Sequence, residues 1–365
     1  MSVELYKNPR RGTGLSDYSN LATGEVATDA RAAIALYEQC PQKMTTRLEV
    51  NEDLAKRAHV AKVFLKREDT RMGLGSFKAL GAAFAIAKAA ASKVADNPSS
   101  SMETALTGET FICASAGNHG LSLAAGAKLF GAQAVVLLAD TVPEAFAQRL
   151  RDKGAEVIRA GADYEASMEV SKRMAAEEGW NLLSDGSWLG YSQPARDVME
   201  GYLIMGHEVA DQTDNPPTHV FLQAGVGGLA AACTAVIRQR WGDGVTIVVV
   251  EPGAAPTLME SVRAGTSVNT SGPVSSMGRL DCKLPSHLAL KYLATEADFL
   301  LTIDDERVES CVALLAELGI DTTPSGAAGV AALLSLSPKA APGCEFGIGL
   351  GPSSTVLCYL SEGVE

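Results

Sequence analysis

Aromatic residues make up only 5% of this 365-residue chain, and no apolar run reaches the roughly 20 residues that a membrane span requires. A membrane-embedded protein is therefore not expected. Positive charge is also short: 31 Lys and Arg stand against 43 Asp and Glu, a net charge of −12. That balance argues against nucleic acid or an anionic membrane surface as a partner and favours a small-molecule enzyme or binding protein. Paired cysteines are missing. Cys40, Cys113, Cys233, Cys282, Cys311, Cys344 and Cys358 are scattered, odd in number and without a CxxC pair. With no signal-like start, they are expected to be reduced thiols in a cytoplasm. The five histidines show no metal-ligand spacing, so no metal is expected, and only His119 lies in a glycine-rich motif.

What the chain does have is glycine, alanine and a clear alternation of apolar strands with helices. Between Glu109 and Asp185, "TFICAS", "AQAVVLLA", "AEVIRAG" and "WNLLSD" read as strands, with "GLSLAAGAKLFG", "VPEAFAQRLRDKG" and "YEASMEVSKRMAAEEG" as helices between them. The pattern resumes with "THVFLQA", a helix from Leu229 to Trp241, "VTIVVVEP", "DFLLTID", helices over Asp305–Leu318 and Gly326–Leu336, and a last strand "EFGIGLG". Upstream, "AKVFLKRED" reads as a strand, the run Ala79 to Ala91 as a helix, the first sixty residues as irregular, and the stretch from Ala95 to Gly108 as an exposed connection. The expected fold is α/β, with two open, mostly parallel sheets flanked by helices. Residues 1–108 and 191–365 form the larger module and 109–190 a smaller, mobile one inserted in it.

Three short stretches carry chemistry. "GSFKALGAAFA" places Lys78 between a glycine-bearing loop and a run of small residues, although lysine is almost never fully buried unless paired or altered. A solvated or snorkelling lysine is the plain alternative. "LQAGVGGLAAA" is a strand, a glycine turn and a helix start; Gly225, Gly227 and Gly228 bare backbone N–H groups suited to phosphate. It fits a dinucleotide site equally well, because Gly225, Gly227 and Ala230 match G-x-G-x-x-G/A and Glu251 ends the next strand. Helix–strand packing is the third reading. "CASAGNHGLSL" would present Ser115, Ala116, Gly117, Asn118 and His119 at a strand's carboxyl end, or merely cap a helix.

Taken together, a lone lysine, a donor-rich carboxylate cradle and a phosphate loop match the needs of pyridoxal phosphate chemistry: a Schiff base, an anchored phosphate and a bound substrate carboxylate. A nicotinamide oxidoreductase would explain the glycines and Glu251 but not Lys78. The order and spacing of "GSFKALGAAFA", "ASAGNHGLSLAAGAKLFGAQAVVLLAD", "LLSDGSWLGY", "VMEGY" and "LQAGVGGLAAA" resemble the fold type II pyridoxal phosphate enzymes, the family of tryptophan synthase β, threonine dehydratase and serine racemase. The resemblance runs from about Lys62 to Leu336, and "SDGSWLGY" with "VMEGY" is most similar to the diaminopropionate ammonia-lyase branch.

That resemblance implies roles. Lys78 is the Schiff-base lysine, whose pKa desolvation would lower. Phe77 lies close to the cofactor, and Asn118 bonds the phenolic oxygen of the ring. The Ser115–His119 turn takes the substrate carboxylate, and Gly225, Val226, Gly227 and Gly228 hold the phosphate. Asp185 is the acid–base group for an L substrate, against the plain reading of a turn aspartate before glycine. Branch members that act on the D isomer have an aspartate where this chain has Ala116, and serine racemases a serine; alanine exchanges no proton, so an L substrate without efficient racemisation is expected. From the last strand a hydroxyl should face the ring nitrogen, either Ser353 or Ser354, while another alignment puts Leu350 there. The implied reaction is removal of the Cα proton and loss of a β substituent, leaving a 2-oxo acid and ammonia. Ammonia as the leaving group would mean 2,3-diaminopropionate; hydroxide would mean serine, threonine or 3-hydroxyaspartate. A homodimer is implied by resemblance alone.

Overall fold

A computed structural model describes residues 3–97, 99–115, 117–337 and 347–364. Ala116, Cys344 and the Glu345–Phe346 start of the expected last strand lie outside the described residues. Eleven strands occur among those described: β1 (Glu4–Lys7), β2 (Leu48–Val50), β3 (Lys62–Arg67), β4 (Thr110–Ala114), β5 (Gln133–Leu138), β6 (Glu156–Arg159), β7 (Asn181–Leu182), β8 (His219–Gln223), β9 (Thr246–Pro252), β10 (Phe299–Ile303) and β11 (Thr355–Leu360).

They form two sheets. The larger runs β1-β10-β9-β8-β11-β3-β2, and the smaller β6-β5-β4-β7. In the larger sheet the five inner strands are parallel; β1 pairs antiparallel with β10 (Glu4↔Thr302) and β2 antiparallel with β3 (Glu49↔Leu65). The smaller sheet is parallel throughout. Val220, Phe221 and Leu222 of β8 and Val248, Val249 and Val250 of β9 are fully buried. These continuous apolar runs follow from sheets covered on both faces. No helix among the described residues is long and apolar enough to cross a membrane.

Small residues set the close approach of the helices that join the two sheets. The helix Ala82–Asp96 meets Asn118–Leu129 where a Cβ on Gly126 would lie 2.7 Å from the Ala83 Cα. Only glycine fits there, which explains part of the chain's glycine and alanine content. On the other side of this layer, Gln193–Gln212 packs against Gly228–Trp241.

Four local expectations change. The stretch Ala79–Ala91 is not one helix: a 3₁₀ turn over Phe77–Leu80 carries Lys78, and the α-helix begins at Ala82 after a break at Gly81 (φ −85°, ψ −84°). The first sixty residues hold two edge strands and the short helices Arg31–Tyr37 and Glu52–Ala58, the latter capped by Asn51, whose side chain accepts from Leu54 N at 2.9 Å. Elements this short leave little periodicity to read. In the stretch from Ala95 to Gly108, Leu106 is buried at 1% exposure, so the connection is pinned to the core. The last strand is not "EFGIGLG". Gly347 (φ +70°) and Gly349 (φ +77°) adopt left-handed backbone that a strand excludes, and the strand falls later, at Thr355–Leu360.

Candidate active site

The parallel strands deliver their following turns to one place. β4 leads into Ser115 and the helix Asn118–Leu129, β8 into Gly225–Gly228, β11 into Ser361 and Glu362, and the segment after β3 into Lys78. With Asp185, beyond β7, they line a single cavity of about 410 Å³. Its place at the carboxyl ends of the strands is where open parallel sheets leave a crevice. Of the residues singled out in the sequence, Phe77, Lys78, Ser115, Gly117, Asn118, His119, Asp185, Gly225, Val226, Gly227 and Gly228 all reach this cavity. Ser353 and Ser354 do not. They precede β11, at its opposite end, where the Ser354 carbonyl accepts from Ala61 N and Lys62 N at the start of β3. Six residues of strand, about 20 Å, separate them from the cavity. Ser361 stands at the cavity end instead.

Lys78 Nζ is paired with Asp185 Oδ2, both side chains about one-fifth exposed. Burial alone would lower the lysine, but the Asp185 carboxylate outweighs it and holds Lys78 above its ordinary value. The reverse holds for Asp185: burial would raise it, and the Lys78 ammonium keeps it well below the carboxylate range. The expected lowering of Lys78 is thus reversed by its partner. Its neutral form depends on what becomes of Asp185.

Phe77 and Tyr202 pack with ring centroids 4.9 Å apart, and Lys78 Nζ lies 6.0 Å from the Tyr202 centroid. The buried Tyr202 hydroxyl has no hydrogen-bond partner among the described groups. The N-cap position of the helix is Gly117, neither Ser115 nor Asn118. Ser115 Oγ accepts from Gly117 N and Gly120 N, both at 3.1 Å, and so ties the turn that lines the cavity to the first helical turn. His119 donates through Nε2–H to the Leu183 carbonyl at 2.8 Å, and burial lowers its pKa, so the ring is neutral. Asn118 Nδ2 donates to Glu362 Oε2 at 2.7 Å. Cys282, also at the cavity wall, is a thiol pushed up to about 12 by burial.

The glycine loop is a tight cradle. Gly227 sits at φ +100°, and a Cβ on Gly225 would meet Cys282 Sγ at 3.0 Å and the Arg279 carbonyl at 3.1 Å. Behind it, Glu251 is fully buried and accepts from Leu258 N (2.6 Å) and Met259 N (2.8 Å), with burial raising it to about 8. It caps the helix Thr257–Ala264 and does not line the cavity, so the acid that a ribose would need is engaged elsewhere.

The family model of pyridoxal-phosphate dependent enzymes matches residues 43–348. The chain belongs to that family. This pyridoxal-phosphate-dependent enzyme is 30% identical to a diaminopropionate ammonia-lyase of Salmonella typhimurium, over 83% of this chain and 79% of that one. It is 28% identical to a probable D-serine dehydratase of Burkholderia thailandensis, over 90% of this chain and 81% of the other. Its fold superposes on the crystal structure of diaminopropionate ammonia lyase from Escherichia coli in complex with an aminoacrylate–PLP azomethine intermediate, with a TM-score of 0.88 and 25% identity, covering 100% of this chain and 94% of that one.

The cavity of this pyridoxal-phosphate-dependent enzyme fits the cofactor on its own geometry. The turn Gly225–Gly228, at the positive end of the helix Gly228–Trp241, is a setting that would suit a phosphate. A Cβ at Gly225 would press on Cys282 Sγ and the Arg279 carbonyl, so glycine is what keeps this turn close to its neighbours. Lys78 lines the same cavity as that loop and would be the amine available to the cofactor's aldehyde. Ser361, Glu362, Tyr202, Gln223 and Arg279 line the same cavity and were not singled out from the sequence. A usable signal for the first two was the polar "SEG" directly after the apolar run "TVLCYL".

Proposed function

We propose that the enzyme catalyses β-elimination on a β-substituted L-amino acid, 2,3-diaminopropionate first among them, giving a 2-oxo acid and ammonia. The observation that carries this reading is the Lys78–Asp185 pair facing the same cavity as the glycine loop. It joins a lysine able to move a proton at Cα to a carboxylate able to hold a cationic substrate amine. The relatives named as diaminopropionate ammonia-lyases support the choice of substrate.

The cofactor, when bound, supplies an aldehyde for the lysine amine and a ring that draws electrons away from Cα. The protein's own residues do the rest. Gly225, Val226, Gly227 and Gly228 hold the phosphate, and Phe77 packs beside the ring. Asn118 would serve the phenolic oxygen. Ser361 would serve the ring nitrogen: Gln223 Nε2 donates to Ser361 Oγ at 3.1 Å, which leaves the hydroxyl hydrogen for an acceptor such as a neutral pyridine nitrogen. The Ser115–His119 turn binds the substrate carboxylate at the start of a helix. Asp185 steadies the substrate ammonium and accepts or returns a proton, while Lys78, freed from Asp185, takes the Cα proton. The β-amine leaves with a proton as ammonia, and water then releases the second ammonia, so one diaminopropionate and one water give one pyruvate and two ammonia. Residues 109–190 act as a unit between 1–108 and 191–365, closing over the ligand to exclude water.

Ammonia and pyruvate released from L-2,3-diaminopropionate by the cofactor-loaded protein test the reading; two ammonia per pyruvate are expected, and no release overturns it. A second reading, a dehydratase of L-serine, L-threonine or 3-hydroxyaspartate, is favoured by Ala116 and by the likeness to probable D-serine dehydratases. Turnover of a 3-hydroxy amino acid without turnover of diaminopropionate would establish it. We also place the enzyme in a reducing cytoplasm as a homodimer. The six described cysteines are free thiols, in keeping with the first point; light scattering on the purified protein tests the second.

A further inference from the structure

Glu362 is a carboxylate at 4% exposure in the wall of the cavity, one residue beyond Ser361. Its backbone is fixed from two sides. Ser76 and Glu362 form an antiparallel bridge beside the lysine turn, and the Glu362 carbonyl accepts from Thr322 Oγ1 at 2.6 Å. Each carboxylate oxygen has a donor. Oε1 accepts from Thr323 Oγ1, the residue whose hydroxyl also caps the helix Pro324–Ser335 by accepting from Gly326 N at 3.1 Å. Oε2 accepts from Asn118 Nδ2 at 2.7 Å and stands 4.0 Å from Arg279 Nε.

A buried carboxylate is costly unless its oxygens are satisfied. Capping a helix would account for Thr323 but not for Asn118, which belongs to the turn after β4 in the other sheet. A side-chain amide can present either its oxygen or its NH₂ in one direction, and its partners decide which. Oε1 accepts from Thr323 and Oε2 from Asn118, so Glu362 commits the Asn118 NH₂ to its side and leaves the second N–H to point elsewhere. We infer that Glu362 is a positioning residue that fixes the Asn118 amide so that its free N–H meets the phenolic oxygen of the bound cofactor. The inference rests on the reading of Asn118 as the residue facing that oxygen. With the carboxylate gone, the amide is free to turn its own oxygen toward the phenolic oxygen, replacing a hydrogen bond by a repulsion.

The test measures two properties of the bound cofactor that need no substrate: its dissociation constant from titration of cofactor-stripped protein, and its visible circular dichroism. Glu362→Leu should weaken cofactor binding about tenfold, the size of one hydrogen bond to a charged group, and alter the visible band. Glu362→Gln keeps an acceptor for Asn118 and a donor for Thr323, and should stay close to the parent protein. Asn118→Ala should reproduce Glu362→Leu, and the double variant should be no worse than Asn118→Ala alone. Unchanged binding and dichroism in Glu362→Leu, or losses in the double variant that multiply, would overturn the inference. Unchanged properties in Asn118→Ala would instead remove the reading of Asn118 beneath it, and the inference with it. Should Glu362→Leu not fold, Glu362→Asp is one methylene too short to hold Thr323 and Asn118 together and carries the same expectation.

Discussion

Replacing Asp185 by asparagine separates the two forces that act on Lys78. Burial pulls the lysine down and the Asp185 carboxylate pulls it up, with the carboxylate dominant. Asparagine keeps the shape and an acceptor oxygen but removes the charge. A unit-charge pair about 4 Å apart at an effective dielectric near 20 is worth about 4 kcal/mol, or about 3 pKa units. Taking that away leaves a mostly buried lysine governed by desolvation, which lowers amines by up to several units. Lys78 should therefore move from above its ordinary value of about 10.4 to below it. The signs for stability follow. Asp185, depressed by the pair, contributes stability that is present above about pH 3.9 and lost as pH falls through its folded value; Lys78, raised, contributes stability that is present below about pH 10.4 and lost as pH rises through its folded value. The assay is competitive acetylation of cofactor-stripped protein across the neutral and alkaline range, with Lys78 followed by mass spectrometry. Asp185→Asn should shift its reactivity midpoint down by about 3 units. Superimposable profiles would refute the claim that this ion pair sets the lysine's protonation.

Gly225→Ala puts a methyl 3.0 Å from Cys282 Sγ and 3.1 Å from the Arg279 carbonyl, and should raise the dissociation constants for cofactor and inorganic phosphate about tenfold or more, read by equilibrium dialysis. Glu208 accepts from both Lys66 (2.7 Å) and Arg71 (2.7 Å), two fully buried cations near the start of the lysine loop. Glu208→Leu leaves them without a shared carboxylate and should cost about 3–5 kcal/mol in urea unfolding. Because alanine at position 116 exchanges no proton, L-diaminopropionate should be consumed far faster than the D isomer, with no racemised substrate recovered; equal rates on chiral chromatography would count against this.

The sequence showed those parts of the site in which chemistry is written into neighbouring residues. Gly225–Gly228 and Ser115–His119 each lie between a strand and a helix within one short stretch, and the turn geometry follows from the glycines. Lys78 was conspicuous because a charge stood at the mouth of an apolar run. What escaped depended on distance. Asp185 is 107 residues from Lys78, so the sign of the lysine's shift could not be read from burial alone. Ser361 was missed because "GIGLG" imitates a strand, whereas positive φ at Gly347 and Gly349 moves the strand to Thr355–Leu360. Glu251 misled in the opposite sense: it stands where a ribose-binding acid would, yet its carboxylate is fully engaged by Leu258 N and Met259 N. Tyr202 was quoted in "VMEGY", but only the packing of Gln193–Gln212 against the lysine turn shows that its ring borders the cavity.

Among the described residues, two polar contacts in the cavity each join a residue that follows a strand of the smaller sheet to one anchored in the larger. Asp185, beyond β7, pairs with Lys78; Asn118, beyond β4, pairs with Glu362. If these contacts close the same junction, losing one leaves the other to hold it, and losing both releases it. Their effects should then be coupled, since residues within one network deviate from additivity by about 0.5–3 kcal/mol. Hydrogen exchange of cofactor-stripped protein reads this in the amides of β4 and β5. Asp185→Asn and Glu362→Leu should each speed exchange modestly, and together by more than the product of the two factors. Exchange that merely multiplies would mean that the contacts act on separate local openings, and that other contacts, such as the packing of Ala82–Asp96 on Asn118–Leu129 and the Ser187–Ser286 hydrogen bond, hold the sheets together.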